Sequence, residues 1–268
     1  MPLFQLILVA LIQGITEFLP VSSSGHLILL PSLTSMQDQG QLIDVAAHIG
    51  TLTAVVIYFW SDVRIGLIGL PRLITGRADT PGSKLALGLV IATIPTVFFG
   101  ATLHFTGLSD SLRSITVIGW TMLGFGLVLY IADQKGSTQK NATDWSVKDA
   151  LIMGLWQMLA LIPGTSRSGI TITGARQLGY NRSDGARISM LMSIPVIAAS
   201  GILLGSEMAV EANSAVIRDA GIVAVFSMLS ALVALSLMMG LLRSVSFTPD
   251  VIYRVILGVV LLSIAYSN

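Results

Sequence analysis

Two short stretches of the chain hold residues whose types and spacing can do chemistry. The first, Gln13 to His26, reads QGITEFLPVSSSGH and places an amide, a carboxylate, three hydroxyls and an imidazole in otherwise apolar surroundings. Gln13 and Glu17 are four apart, so on a helical arm they share a face. Ser23 and His26 are three apart and can meet if a helix begins there. The second stretch, Pro163 to Thr171, reads PGTSRSGIT. Its Gly164, Ser166, Ser168 and Gly169 are small enough to expose backbone N–H groups at a helix start. Arg167 adds a guanidinium fork, which makes the stretch a candidate phosphate cradle. It is not a Walker A loop, because the Gly-Lys-Ser/Thr ending is missing. Together the parts suit hydrolysis of a phosphate ester or anhydride whose apolar tail stays in a bilayer. Ser23 would be the nucleophile and His26 its base. Arg167 would offset charge on the transferring phosphoryl group. Glu17, with or without a divalent cation, would orient groups or carry a proton.

The elements that must position these residues are membrane helices. Of 268 residues 53% are hydrophobic and only 11% charged, against about 25% charged in an average soluble domain. Apolar runs long enough to cross ~30 Å of hydrocarbon predict six spans, at 42–60, 85–105, 114–132, 184–205, 219–241 and 250–267. The regions 3–31 and 147–180 do not fit. Each has apolar arms shorter than a span around a polar centre broken by Gly and Pro, and such backbone at membrane depth must be buried in protein or line a wet cavity. Both are therefore expected to be re-entrant helical hairpins, one from each face.

Charge tests the layout, since cytoplasmic loops are enriched in Lys and Arg. With both hairpins re-entrant, eleven of the fifteen Lys and Arg fall on one side: Arg64, Arg72, Arg77, Lys84, Lys135, Lys140, Lys148, Arg176, Arg182, Arg187 and Arg243. The other side receives Arg113 and Arg218, the latter near Glu207 and Glu211, while Arg167 and Arg254 lie within membrane segments. The expectation is an all-α polytopic protein, one integral membrane domain over 1–268. Its inverted halves are 1–132 and 147–268, joined by a cytoplasmic loop at 133–146. At an offset of 144 the polar centres echo each other: Gln13 with Gln157, Ser22 with Ser166, Ser24 with Ser168, Gly25 with Gly169. Inverted repeats bring such broken segments to one place, so the two centres are expected to form one site.

Several residues also have plainer explanations. Ser22 and Ser24 can be helix-packing contacts, and Glu17 with Arg167 a structural buried pair. His48 and His104 read as packing residues, Asp44 as a helix cap, and Asn141 as a chance sequon. Arg254 serves either the site or a snorkelling role, and Gly119, Gly124 and Gly126 allow close helix contact. The chain has no cysteine, which excludes disulfides and thiolate metal sites. Its net charge of +1 gives no sign of nucleic-acid binding, and the first apolar run lacks the basic flank of a cleaved signal.

With these residues in view, QGITEFLPVSSSGH together with PGTSRSG and the late YRVILG closely resembles the bacterial undecaprenyl-diphosphate phosphatase family of the bacitracin-resistance type. The resemblance spans essentially the whole chain. It implies removal of the terminal phosphate of undecaprenyl diphosphate to give the monophosphate used in peptidoglycan assembly. It also implies an inner-membrane location, a site opening to the outer face and a divalent cation, Mg²⁺ or Ca²⁺. The family's functional positions fall on Gln13, Glu17, Ser23, His26, Arg167 and Thr171, with Glu17 as the metal ligand. Many relatives carry Glu where this chain has Gln13, so the diphosphate itself is expected to supply much of the metal coordination. A homodimer is an open expectation. The alternative function is a transporter or flippase for polyprenyl phosphates, which would need the Arg167 cradle but no nucleophile.

Overall fold

Apolar runs of this length fold as helices, and side-chain caps fix where several of them open. The computed structural model describes residues 1–34, 36–108, 112–208 and 213–267. Six helices among them are long and apolar enough to cross a membrane: α3 (Gln41–Tyr58), α5 (Pro81–Thr106), α6 (Ile115–Lys135), α9 (Arg182–Met208), α10 (Ser214–Leu241) and α11 (Thr248–Ser267). They coincide with the expected spans to within a few residues. Thr80 and Ser83 form a reciprocal capping box before Pro81 at the start of α5, and Ser114 caps α6 by accepting from Val117 N–H, each removing an orphan donor at a helix start. Glu211 and the side chain of Glu207 lie outside the described residues.

Four shorter helices account for the regions that did not fit. These are α1 (Leu3–Thr16), α2 (Ser23–Leu33), α7 (Val147–Met158) and α8 (Arg167–Gln177). At 1.5 Å per residue the longest of them, with 14 residues, reaches only about 21 Å, short of a bilayer core. The turns that join α1 to α2 and α7 to α8 share an unusual geometry. Ser22 and Ser166 are non-glycine residues at positive φ, 75° and 70°. Each caps the helix after it by accepting from a glycine N–H, Gly25 and Gly169 respectively. A residue held in this region costs on the order of 1–3 kcal/mol and persists only where its surroundings fix it.

One element was not anticipated. The basic segment after the first span contains α4 (Trp60–Ile74), separated from α3 by a single non-helical residue, Phe59. It is amphipathic, with exposed Ile65, Ile68 and Ile74 and with Asp62 held by Arg187. The 3.6-residue spacing of its apolar side chains was present in the sequence but masked by the interspersed arginines.

The helices pair across the two halves of the chain. Helix α1 packs on α10, α3 on α10, α7 on α5, and α6 on α11. Polar side chains stitch the short helices to the spans: Ser227 donates to the Ala10 carbonyl, and Gln157 to the Ala92 carbonyl and the Thr96 hydroxyl. The largest apolar cluster joins Phe18, within the first turn, to Leu129, Ile172, Met190, Leu235 and Phe247. The first turn is therefore anchored in the core.

Candidate active site

Glu17 is the C-cap of α1, and it lies at the centre of the polar groups. Its Oε1 accepts from Arg167 Nη2 at 2.6 Å. Its Oε2 accepts from Ser23 Oγ at 2.6 Å and from Gln13 Nε2 at 3.0 Å. The residue is only 7% exposed, and an ionised carboxylate so enclosed requires this full set of donors. Arg167 also reaches the Ser189 carbonyl at 3.4 Å and stands over the Phe18 ring. The two stretches singled out from the sequence, 150 residues apart, thus meet through one ion pair.

A cavity of about 350 Å³ opens against this centre. Glu17, Ser22, Ser23, Ser24, Ser166 and Arg167 form its polar end. The residues from α2 and α8 sit at helix starts, where unpaired N–H groups and the helix dipole favour an anion. Val45, Ile49, Ala160, Leu161, Val196 and Ile197 line an apolar wall. Asp44 and Arg113 are further charged groups in its lining.

Other expected site residues lie behind the wall. Arg254 is fully buried, and its donors go to five main-chain carbonyls: Pro20, Thr121, Met122, Gly164 and Thr165. It neither snorkels nor faces the cavity; it ties both turns to α6. Gly164, at φ 85°, approaches α6 so closely that a Cβ would lie 2.2 Å from Thr121 Oγ1. At Gly169 a Cβ would lie 2.8 Å from an Arg254 Nη1. Ser168 donates to the Leu19 carbonyl, and Thr171 shares a 2.6 Å hydrogen bond with Ser189. These four hold the cradle's shape.

His26 departs from its expected partner. The helix does begin at Ser23, yet the imidazole is occupied on both sides. Nδ1 lies 2.6 Å from the Ser22 carbonyl and Nε2 2.5 Å from the Tyr253 hydroxyl, with the two rings stacked at 5.6 Å. Ser23 bonds to Glu17 instead. Conversely His48, read as packing, lines the cavity with Nε2 3.6 Å from Glu17 Oε2. Asp44 follows the same course: Gly40 occupies the cap position, and Asp44 accepts from Gln39 at 2.9 Å on the cavity wall. Neither could be found from spacing, because α3 reaches the turns only after folding. Gln157 lines the cavity too, and its offset match to Gln13 was the one sequence signal for it.

Glu17, already shared by three donors, lines the cavity together with Asp44 and His48. Among the described residues no group of three His, Cys, Asp or Glu side chains could hold a metal ion.

Six spanning helices with an arginine–carboxylate–hydroxyl centre beside an apolar cavity define a polytopic membrane protein built to hold an anionic head group and an apolar tail together. The chain belongs to the family of bacitracin resistance protein BacA, whose model matches residues 6–260. It is similar over its whole length to proteins named undecaprenyl-diphosphatase from Ruegeria sp. strain TM1040 and Ruegeria pomeroyi. They are 74% and 73% identical, with all of both chains covered. Undecaprenyl-diphosphatase 1 of Rhodospirillum rubrum is 47% identical, covering 99% of this chain and 96% of that one.

Proposed function

We propose that the protein hydrolyses undecaprenyl diphosphate to undecaprenyl phosphate and inorganic phosphate, returning the lipid carrier to peptidoglycan synthesis and supporting bacitracin resistance. The observation that carries this reading is the 2.6 Å hydrogen bond from Ser23 to Glu17 beside Arg167. It joins a nucleophile, a proton acceptor and an anion clamp at the polar end of an apolar cavity, as expected for a lipid diphosphate. Ser23 Oγ bonds to the terminal phosphorus while the bond to the bridging oxygen breaks. The serine proton passes through Glu17 Oε2 to the departing phosphate. Arg167 and the first N–H groups of α2 and α8 offset the charge on the transferring oxygens. His26 keeps the turn in shape through Tyr253 and Ser22, and it reaches Ser23 only by leaving both partners. A divalent cation would be held by Glu17 together with the substrate and would offset phosphoryl charge.

We further read the two short helix pairs as re-entrant hairpins of an inverted repeat, with the site opening to the outer face of the inner membrane. Supporting this are the matching turns at Ser22 and Ser166, the exchange of packing partners between halves, and the bias of Lys and Arg. Every group named comes from one chain. The decisive measurement is phosphate release from undecaprenyl diphosphate by purified protein in detergent, with and without chelator. A folded sample that releases none would overturn the enzyme and leave the carrier alternative. Full activity with no covalent phosphate in Ser23→Ala would remove serine as nucleophile.

A further inference from the structure

The structure assigns His48 a water-positioning role: with Glu17 it forms a pair of acceptors that holds the water consumed in hydrolysis. This inference rests on the phosphatase reading and deepens it. The Nδ1 of His48 lies 2.8 Å from the Asp44 carbonyl, one turn back on α3. A carbonyl oxygen only accepts, so Nδ1 carries a proton, and in the neutral imidazole Nε2 presents a lone pair. That lone pair faces the cavity 3.6 Å from Glu17 Oε2, too far for a direct hydrogen bond. Glu17 already has the Arg167 guanidinium as its charged partner, with Ser23 and Gln13 as further donors. Two acceptors at this separation on one wall suit a water molecule about 2.8 Å from each, donating one O–H to either side. The His48 side chain is 34% exposed and that of Glu17 6%, so the imidazole is the more accessible of the two. No other imidazole among the described residues borders the cavity, because His26 is engaged with Tyr253.

In the second half of the reaction the water oxygen bonds to the phosphorus carried on Ser23 Oγ, and the bond from phosphorus to Ser23 Oγ breaks. One water proton passes through Glu17 Oε2 to Ser23 Oγ, restoring the hydroxyl. The other leaves on inorganic phosphate as HPO₄²⁻. His48 holds the water oriented for this attack and takes no atom away.

The geometry separates two substitutions. In His48→Gln the side-chain carbonyl reaches the Nε2 position and still accepts. In His48→Asn the shorter amide reaches only the Nδ1 position. Steady-state phosphate release from undecaprenyl diphosphate, with Tm measured in parallel, is expected to show kcat of His48→Asn lower by roughly 10- to 100-fold, the scale of a lost positioning contact. KM and Tm should stay near wild type, while His48→Gln retains most of the activity. Rapid quench of His48→Asn should still give a first equivalent of undecaprenyl phosphate. If His48→Asn fails to fold, His48→Ala carries the same comparison. Wild-type kcat in the shortened variant, a loss confined to KM, or equal losses in the Gln and Asn variants would overturn the assignment. Absence of activity in the wild type would instead overturn the phosphatase reading itself.

Discussion

Glu17 and Arg167 hold each other at 2.6 Å, so each has a structural and a chemical duty that substitution can separate. Arg167→Ala is expected to lower phosphate release by about 10²–10³-fold, the usual cost of one well-placed donor to transition-state charge. A purely structural pair would instead lower Tm and leave kcat of the surviving protein near normal. Arg167→Lys should not restore activity, because a point charge cannot serve the carboxylate and a phosphoryl group with one planar fork. Glu17→Gln removes the acceptor for the Ser23 proton and leaves the guanidinium under-paired, so both kcat and Tm should fall. At this scale the sequence was informative where chemistry is local. Glu17, the serines and Arg167 stood out as polar groups among apolar neighbours. His48 did not, because an imidazole on an apolar helix face looks the same whether it packs or borders a cavity. The pairing of Ser23 with His26 was misjudged from spacing, since the competing partner, Tyr253, is 227 residues away.

The elements behave as mounts for two strained turns. Replacing Ser166 with Ala removes the side chain that accepts from Gly169 N–H while leaving the positive φ in place. A destabilisation of about 1 kcal/mol is expected from the lost cap, read as a lower Tm. Gly164→Ala should cost far more, because its Cβ would fall within the van der Waals radius of α6. Loss of folded protein on size exclusion is the measurement. The start of α7 is pinned by Asp149, which accepts from Lys140 at 3.0 Å and from the Tyr180 hydroxyl at 2.6 Å. Burial alone would raise its pKa, but the Tyr180 hydrogen bond and the Lys140 charge outweigh it and hold the carboxyl below its ordinary value. A carboxylate with a lowered folded pKa adds stability that is present above its unfolded pKa, near ~4, and is lost as pH falls toward the folded value. Asp149→Asn should accordingly flatten that part of the stability profile, followed by thermal melts across acidic pH. Spans and short arms were legible in the sequence because hydrocarbon thickness sets their length. Helix α4 was not, because charge dominated the reading of its segment.

Across the whole molecule the two halves exchange partners, α1 against α10 and α7 against α5. The sequence did not show which helices would meet. Arg254 is the clearest feature that only the folded chain shows. In the sequence it was one arginine in a hydrophobic span; in the structure it collects carbonyls from Pro20, Gly164 and Thr165 on both turns and from Thr121 and Met122 on α6. Arg254→Met should reduce Tm more than it changes KM, because buried carbonyls lose their donors while the cavity wall is untouched. The same knot bears on what kind of machine this can be. A carrier that alternates its opening would have to move these turns relative to α6, and such an excursion would strip buried carbonyls of the donors that Arg254 supplies. Any transport cycle through this cavity would carry that cost, whereas hydrolysis at its polar end leaves the knot untouched.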